Sequence, residues 1–87
     1  MITVHKTVLK MEDEQEILVT EGAEFLHAQM QHDLFCIWYR LDTDRPRRNR
    51  RIFVAGTGHP APATAQHVGT LFLSGGTYVF HVFAERE

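Results

Sequence analysis

Hydrophobic and polar residues alternate with a period of two along most of the chain, and turn residues separate the alternating segments. This alternation is typical of short antiparallel strands with one buried face. It predicts strands over residues 2–9, 16–20, 25–31, 34–41, 50–55, 68–73 and 77–83. Seven strands without a long helix indicate an all-β fold, a small antiparallel β-sandwich or barrel of about seven strands.

Three of the predicted strands have informative faces. The first places three apolar residues on one face, namely Ile2, Val4 and Val8. The third has an apolar side made of Leu26, Ala28 and Met30. Residues 34–41 are apolar on both faces, which predicts a central strand or a covered outer face.

The connections are marked by turn and loop residues. His32-Asp33 is expected to form a tight hairpin turn, and Ser74-Gly75-Gly76 connects the last two strands. Residues 42–49 form a polar loop. The glycines and prolines of residues 56–62 cannot continue a strand and favour turns. We find no repeat and no internal boundary, so residues 1–87 are expected to form a single β domain.

Composition supports a globular protein. Hydrophobic residues make up 44% of the chain and charged residues 23%, and the formal net charge is −2. A global electrostatic attraction to nucleic acid or membrane is therefore not expected. A chain of 87 residues buries a thin core, which favours self-association.

The chain has one cysteine, Cys36, and no apolar stretch as long as a membrane span. A single cysteine in an apolar strand excludes an intramolecular disulfide and is best explained by core packing. The first residues lack the apolar segment of a signal peptide. We expect an intracellular protein without membrane contact.

Several motifs together resemble a known family. They are Asp13-Glu14-Gln15, Gly22-Ala23, Phe35–Trp38, Gly56-Thr57-Gly58-His59-Pro60, Val68-Gly69-Thr70 and Gly75–Phe83. Over nearly its full length the chain resembles a family of short uncharacterised proteins of tailed bacteriophages and prophages. The resemblance implies a phage origin and action in the host bacterial cytoplasm, and it implies no catalytic residues.

Arginines are concentrated in one short segment. Five of the seven arginines of the chain are Arg45, Arg47, Arg48, Arg50 and Arg51. Guanidinium groups bind phosphate and carboxylate with two hydrogen bonds, so we expect the last four to bind an anionic ligand. The alternative is a solvated strand edge, or an edge neutralised by the acidic residues Glu12, Asp13, Glu14 and Glu16.

The loop Gly56–Pro60 directly follows the arginine-rich strand. Its backbone amides, the Thr57 hydroxyl and His59 are expected to form an anion-accepting concavity. A turn with glycines at positive φ explains the same residues.

No catalytic, metal or cofactor site is expected. The six histidines lack the spacing of metal ligands on one strand or helix. Ser74 does not lie in a nucleophile elbow, and the His5-Lys6-Thr7 motif, which one class of phosphoesterases uses in pairs, occurs once.

Aromatic residues on both faces of two strands predict self-association. Trp38, Tyr39, Phe80 and Phe83 are the expected interface residues of a homo-oligomer, with a dimer favoured.

Three functions follow as hypotheses. The first is a non-enzymatic phage binding protein, acting in counter-defence, that sequesters an anionic, nucleotide-like ligand. The second is an inhibitor that docks through its arginines on a host or defence protein, such as a nucleic-acid-binding complex. The third is a minor virion or assembly component.

Overall fold

A computed structural model describes all residues, 1–87, and shows seven strands. They are β1 (Ile2–Val8), β2 (Glu14–Thr20), β3 (Glu24–Gln31), β4 (Leu34–Asp42), β5 (Arg47–Gly56), β6 (Gln66–Leu73) and β7 (Tyr78–Ala84). One 3₁₀ turn, Ser74–Gly76, connects β6 and β7. The predicted all-β fold of seven strands is confirmed.

The strands form two antiparallel sheets that pack as a sandwich. One sheet has the order β1-β4-β3, and the other has the order β2-β5-β7-β6. The two predicted hairpins are present, since β3 pairs with β4 and β6 pairs with β7. The first turns at His32, whose φ of 55° is in the left-handed region. The central strands are therefore β4 in one sheet and β5 and β7 in the other.

The core consists of alternate residues from the facing sides of the two sheets. From β4 it takes Phe35, Ile37, Tyr39 and Leu41, and from β5 and β7 it takes Ile52, Val54, Val82 and Ala84. Residues 34–41 thus form a central strand, as predicted. Cys36 is also fully buried, which agrees with a packing role for this thiol.

A β-bulge changes the buried face of β3. The pairing with β4 shifts between Phe25 and His27, so the alternation restarts within the strand. Phe25 and Ala28 are buried, whereas Leu26 is 44% exposed. The expected apolar side is therefore wrong at Leu26, because Phe25 takes its place in the core.

One side of the sandwich is closed by close contact between β3 and β6. A Cβ atom at Gly69 would lie 2.3 Å from the carbonyl oxygen of Ala28, so the two backbones touch there. The Gln66 amide also donates to the carbonyl of Phe25 at 3.3 Å. Only glycine fits at position 69, because a side chain there would clash with the Ala28 backbone.

The opposite side, between β1 and β2, is open. β1 pairs only with β4, and its apolar residues Ile2, Val4 and Val8 are more than half exposed. His5 and Thr7 are instead paired with the buried positions Tyr39 and Ile37. The apolar face of β1 thus points outward, and its polar face borders the interior.

Candidate functional site

The alternation of β5 separates the clustered arginines. Arg50 lies on the same side of the strand as buried Ile52 and Val54 and is only 4% exposed. Arg47, Arg48 and Arg51 are exposed. The five arginines therefore do not form one continuous binding surface.

Arg50 is held inside the protein by main-chain carbonyls. Its guanidinium donates to the carbonyls of Ala23 at 3.2 Å and Glu85 at 3.0 Å, lies over the Phe25 ring, and pairs with Glu87 at 3.4 Å. Burial lowers the pKa of Arg50, and the Glu87 carboxylate opposes this effect. These contacts use the donors that a ligand would need, so Arg50 is not part of the candidate site. The sequence signal for the burial of Arg50 is its spacing of two and four residues from Ile52 and Val54, which places all three on the same face of a strand.

Two of the exposed arginines are neutralised by acidic residues of the same chain. Arg51 pairs with Glu14 at 3.3 Å and with Glu85 at 3.1 Å, and Arg45 pairs with Glu21 at 2.8 Å. The hydrogen bond from Arg51 lowers the pKa of Glu85. Glu14 is one of the four acidic residues that were expected, as the alternative to ligand binding, to neutralise the arginines.

Arg47 and Arg48 make no ion pair and no side-chain hydrogen bond. They occupy successive positions at the start of β5. Of the four arginines expected to bind an anion, these two keep their guanidinium donors free.

The Thr57 hydroxyl is hydrogen-bonded to a side chain on the outer face of the four-stranded sheet. It shares a hydrogen bond with His81 Nε2 at 2.8 Å, and His81 Nδ1 contacts the Thr70 hydroxyl at 3.2 Å. Thr70 in turn contacts His67 at 3.0 Å. Thr57 therefore belongs to a chain of alternating hydroxyl and imidazole groups.

His59 lies in a turn and lines the largest cavity. Its amide donates to the carbonyl of Gly56 at 3.0 Å, and Gly58 has a φ of +88°, as a glycine turn requires. The cavity has a volume of about 590 Å³, and its acidic lining residues are Asp13 and Glu14. No arginine lines it.

The arginines and the Thr57–His59 loop are thus not brought together. Arg47 and Gly56 stand at opposite ends of the ten-residue strand β5. At about 3.3 Å per residue, that places them roughly 30 Å apart. The structure therefore contains no single anion pocket that includes Arg47, Arg48, Thr57 and His59.

A smaller cavity on the open side of the sandwich has the chemistry expected of an anion site. We call it the open-side groove; its volume is about 180 Å³. It is lined by His5, Leu18, Val19, Thr20, Tyr39, Leu41, Thr43, Arg45 and Arg47. It contains two arginines, an imidazole and three hydroxyl groups, and no carboxylate.

Thr20 is the most informative residue of the open-side groove. It is 7% exposed, and its Oγ1 atom is buried without any hydrogen-bond partner. The neighbouring Tyr39 hydroxyl is satisfied by Thr7 Oγ1 at 2.7 Å. A buried hydroxyl without a partner is uncommon, and here it belongs to a residue that lines a cavity.

Sequence reasoning missed His5, Thr20 and Thr43 as site residues. Among the residues that line the open-side groove, the sequence predicted ligand binding only for Arg47, and Arg45 was noted as part of the cluster. The available signal was the polar face of the first strand, Thr3, His5 and Thr7, which lies opposite the apolar face.

The four expected interface residues do not share a surface. Tyr39 is a core residue, and Phe80 packs against the core from inside. Trp38 lies on the outer face of the three-stranded sheet beside His27, with ring centroids 6.5 Å apart. Phe83 lies on the outer face of the four-stranded sheet beside His67, at 5.5 Å.

No group of three histidine, cysteine, aspartate or glutamate side chains is arranged to hold a metal ion. The structure also contains no helix that could cross a membrane.

Comparison with known proteins gives one match. Residues 1–87 match a family described as a domain of unknown function, DUF7352. No curated protein and no solved structure matches the chain. The match covers the whole chain, which therefore belongs to the DUF7352 family.

Proposed function

We propose that this protein is a non-enzymatic binding protein that captures an anionic group in the open-side groove. The observation that carries the proposal is a cavity lined by Arg45 and Arg47 and by no carboxylate, together with its lining residue Thr20, whose buried hydroxyl has no hydrogen-bond partner. A phosphate or carboxylate oxygen would accept hydrogen bonds from all three side chains.

The energetics favour an occupied groove. Leaving a buried hydroxyl without a partner costs about 1–3 kcal/mol, and a hydrogen bond to a charged group contributes about 1.5–3 kcal/mol. Arg47 makes no ion pair that a ligand would have to replace, and Arg45 makes only the ion pair with Glu21. The positive charge of the groove is therefore available.

The size of the groove limits what it encloses. Its 180 Å³ is below the roughly 300–1,000 Å³ of pockets that enclose drug-sized ligands. A terminal phosphate fits this space, and the rest of a nucleotide would lie outside it. We therefore propose a phosphorylated ligand, bound by its phosphate and released chemically unchanged.

The biological setting of the proposal comes from the resemblance to phage proteins. A small phage protein that sequesters a phosphorylated signal in the host cytoplasm would act in counter-defence. This role rests on the motifs given above and not on the geometry of the groove.

A second candidate function is docking on a host or defence protein. The observation that favours it is the pair of adjacent exposed arginines, Arg47 and Arg48, neither of which has an acidic partner. In this candidate Arg48, which does not line the open-side groove, contributes as much as Arg47.

We also propose that the protein forms a homodimer through the outer face of β6 and β7. Phe72 is 68% exposed there, and its neighbours Val79, His81 and Phe83 are half-buried. The centre of the other sheet's outer face carries Trp38, paired with Lys6 and His27. That face also exposes Ile2, Val4 and Val8 on its edge strand, but an interface centred on Trp38 would bury the Lys6 ammonium, so the outer face of β6 and β7 is the better dimer interface.

The anion proposal is tested by titrating the protein with inorganic phosphate and adenosine monophosphate while following backbone amide resonances. We expect shifts at residues 5, 20, 39, 43, 45 and 47. Arg47→Gln should weaken phosphate binding at least about tenfold, since one charged hydrogen bond contributes about 1.4 kcal/mol or more. Arg48→Gln is the matched control and should bind as the wild type does.

Thr20→Val separates binding from folding. It should weaken phosphate binding, yet raise the free energy of unfolding by about 1 kcal/mol, because it removes a buried hydroxyl without a partner. Absence of phosphate shifts at millimolar concentration would refute the anion proposal. Hydrolysis of the nucleotide would show an enzyme, and equal losses of host-protein capture for Arg47→Gln and Arg48→Gln would favour the second candidate.

A further inference from the structure

The largest cavity is one end of a longer groove. A second cavity, of about 450 Å³, adjoins it, and both are lined by Glu14, Phe53 and Pro62. The combined depression runs along the end of β5 and under residues 60–65. We call it the β5-end groove.

The two ends of the β5-end groove differ in charge. At the first end, Asp13 and Glu14 are the only acidic or arginine side chains, and the Asp13 carboxylate makes no hydrogen bond or ion pair. At the other end, Arg86 donates from Nε to the Thr64 carbonyl at 2.9 Å and has no carboxylate partner. The same end is also lined by Arg51, Glu14 and Glu85, which form ion pairs with one another, so the groove has one acidic end and one end of mixed charge.

Apolar groups form the walls beside Asp13. They include two aromatic rings, Phe53 and Phe80, and two prolines, Pro60 and Pro62. Phe53 already accepts a cation, since the Arg51 guanidinium lies 5.3 Å from its ring centroid. Such walls suit the methylene stem of a long basic side chain, with its charged head near the carboxylate.

We propose that the β5-end groove binds an extended peptide segment of a partner protein, with a lysine or arginine side chain placed against Asp13. A single basic side chain would leave the second cavity empty, so a segment of several residues is the occupant that fills both. This site shares no residue with the open-side groove and does not depend on the proposed anion function.

The test uses acetylated and amidated pentapeptides, Ala-Ala-Lys-Ala-Ala and its norleucine counterpart, followed by backbone amide shifts. The lysine peptide should shift resonances at residues 13, 14, 53–56, 59, 61, 64 and 65 and bind at least about fivefold tighter than the norleucine peptide. Asp13→Asn should remove that preference. Asp33→Asn, in the turn between β3 and β4, lines neither cavity and should retain it.

Three results would overturn this inference. One is absence of shifts at millimolar peptide, and another is equal binding of the lysine and norleucine peptides. The third is binding of free butylamine as tight as that of the peptide, which would indicate a small amine ligand. Arg47→Gln should not change peptide binding, so failure here and failure of the anion proposal are distinguishable.

Discussion

Arg50 was expected to bind a ligand because it lies among other arginines in the sequence, but in the structure it binds main-chain carbonyls. It belongs to a run of arginines, yet it is 4% exposed and caps the carbonyls of Ala23 and Glu85. Its guanidinium connects the turn after β2 to the segment after β7. A planar group with five donors can satisfy several acceptors at once, which a lysine ammonium cannot do in the same geometry.

We predict that Arg50→Ala destabilises the protein, whereas Arg48→Ala does not. Removing Arg50 leaves buried carbonyls without donors, which should lower the free energy of unfolding by about 2–4 kcal/mol. Arg48 is exposed and unpaired, so its removal should change this energy by less than about 0.5 kcal/mol. Urea unfolding measures both. Equal effects would contradict a structural role for Arg50.

Among the elements, the contact between β3 and β6 determines which side of the sandwich is closed. Gly69 of β6 approaches the backbone of Ala28, where the nearest atoms belong to the main chain and cannot rotate away. The side between β1 and β2 has no such contact, and the open-side groove lies there.

We predict that Gly69→Ala lowers the free energy of unfolding by about 1–3 kcal/mol, or more if the strands separate. The added methyl carbon would lie 2.3 Å from the Ala28 carbonyl oxygen. Gly56→Ala is the control, because its Cβ would meet mainly the end of the His59 ring at 3.1 Å, which can move. Thermal unfolding of both variants tests this, and an equally mild effect would mean that the backbone contact is not tight.

The segment after β7 is joined to β5 by both main-chain and side-chain bonds. The Glu85 amide donates to the Arg51 carbonyl at 2.8 Å, and Arg51 donates to the Glu85 carboxylate at 3.1 Å. This hydrogen bond lowers the pKa of Glu85 from its ordinary value of 4.5. The pair therefore contributes stability above about pH 4.5, and that contribution is lost as pH falls through the lowered pKa.

We predict that Arg51→Gln is less stable than the wild type at pH 7 and that the difference narrows below pH 4. At low pH the Glu85 carboxyl is protonated in both proteins, so Arg51 no longer contributes through its charge. Arg86→Gln is the control, since Arg86 has no carboxylate partner, and its difference from the wild type should not depend on pH in this way. Urea midpoints from pH 7 to pH 3 would show the trend. A constant difference for Arg51→Gln would contradict it.

The elements show which parts of the fold were predictable from sequence. Period-two alternation located all seven strands and both hairpins, because local pattern and turn chemistry decide these. It placed residues 47–49 in a loop, whereas they begin β5, because the pairing of these polar residues with β2 leaves no local signal. The buried face of β3 was not predictable, since the bulge after Phe25 depends on pairing with β4. The open-side groove was not predictable either. It lies between the edge strands β1 and β2, and no local sequence pattern shows which edge strands of the two sheets lie side by side.

At the scale of the whole molecule, the protein is a thin slab. Its Cα extents are 41 × 29 × 16 Å, so the two outer faces are large compared with the core between them. The outer face of β6 and β7 carries Phe72, Val79 and Phe83, and the other sheet exposes apolar residues on its edge strand β1 and also at Leu26 and Leu34.

We predict that the wild type sediments as a dimer at tens of micromolar and that Phe83→Glu converts it to a monomer. A carboxylate at the centre of an apolar interface would be buried without a partner, which is costly in the dimer but not in the monomer. Trp38→Arg, on the opposite face, is the matched control and should leave the dimer intact. Circular dichroism would establish that both variants fold. A monomeric wild type, or dissociation caused by Trp38→Arg alone, would show that β6 and β7 do not form the interface.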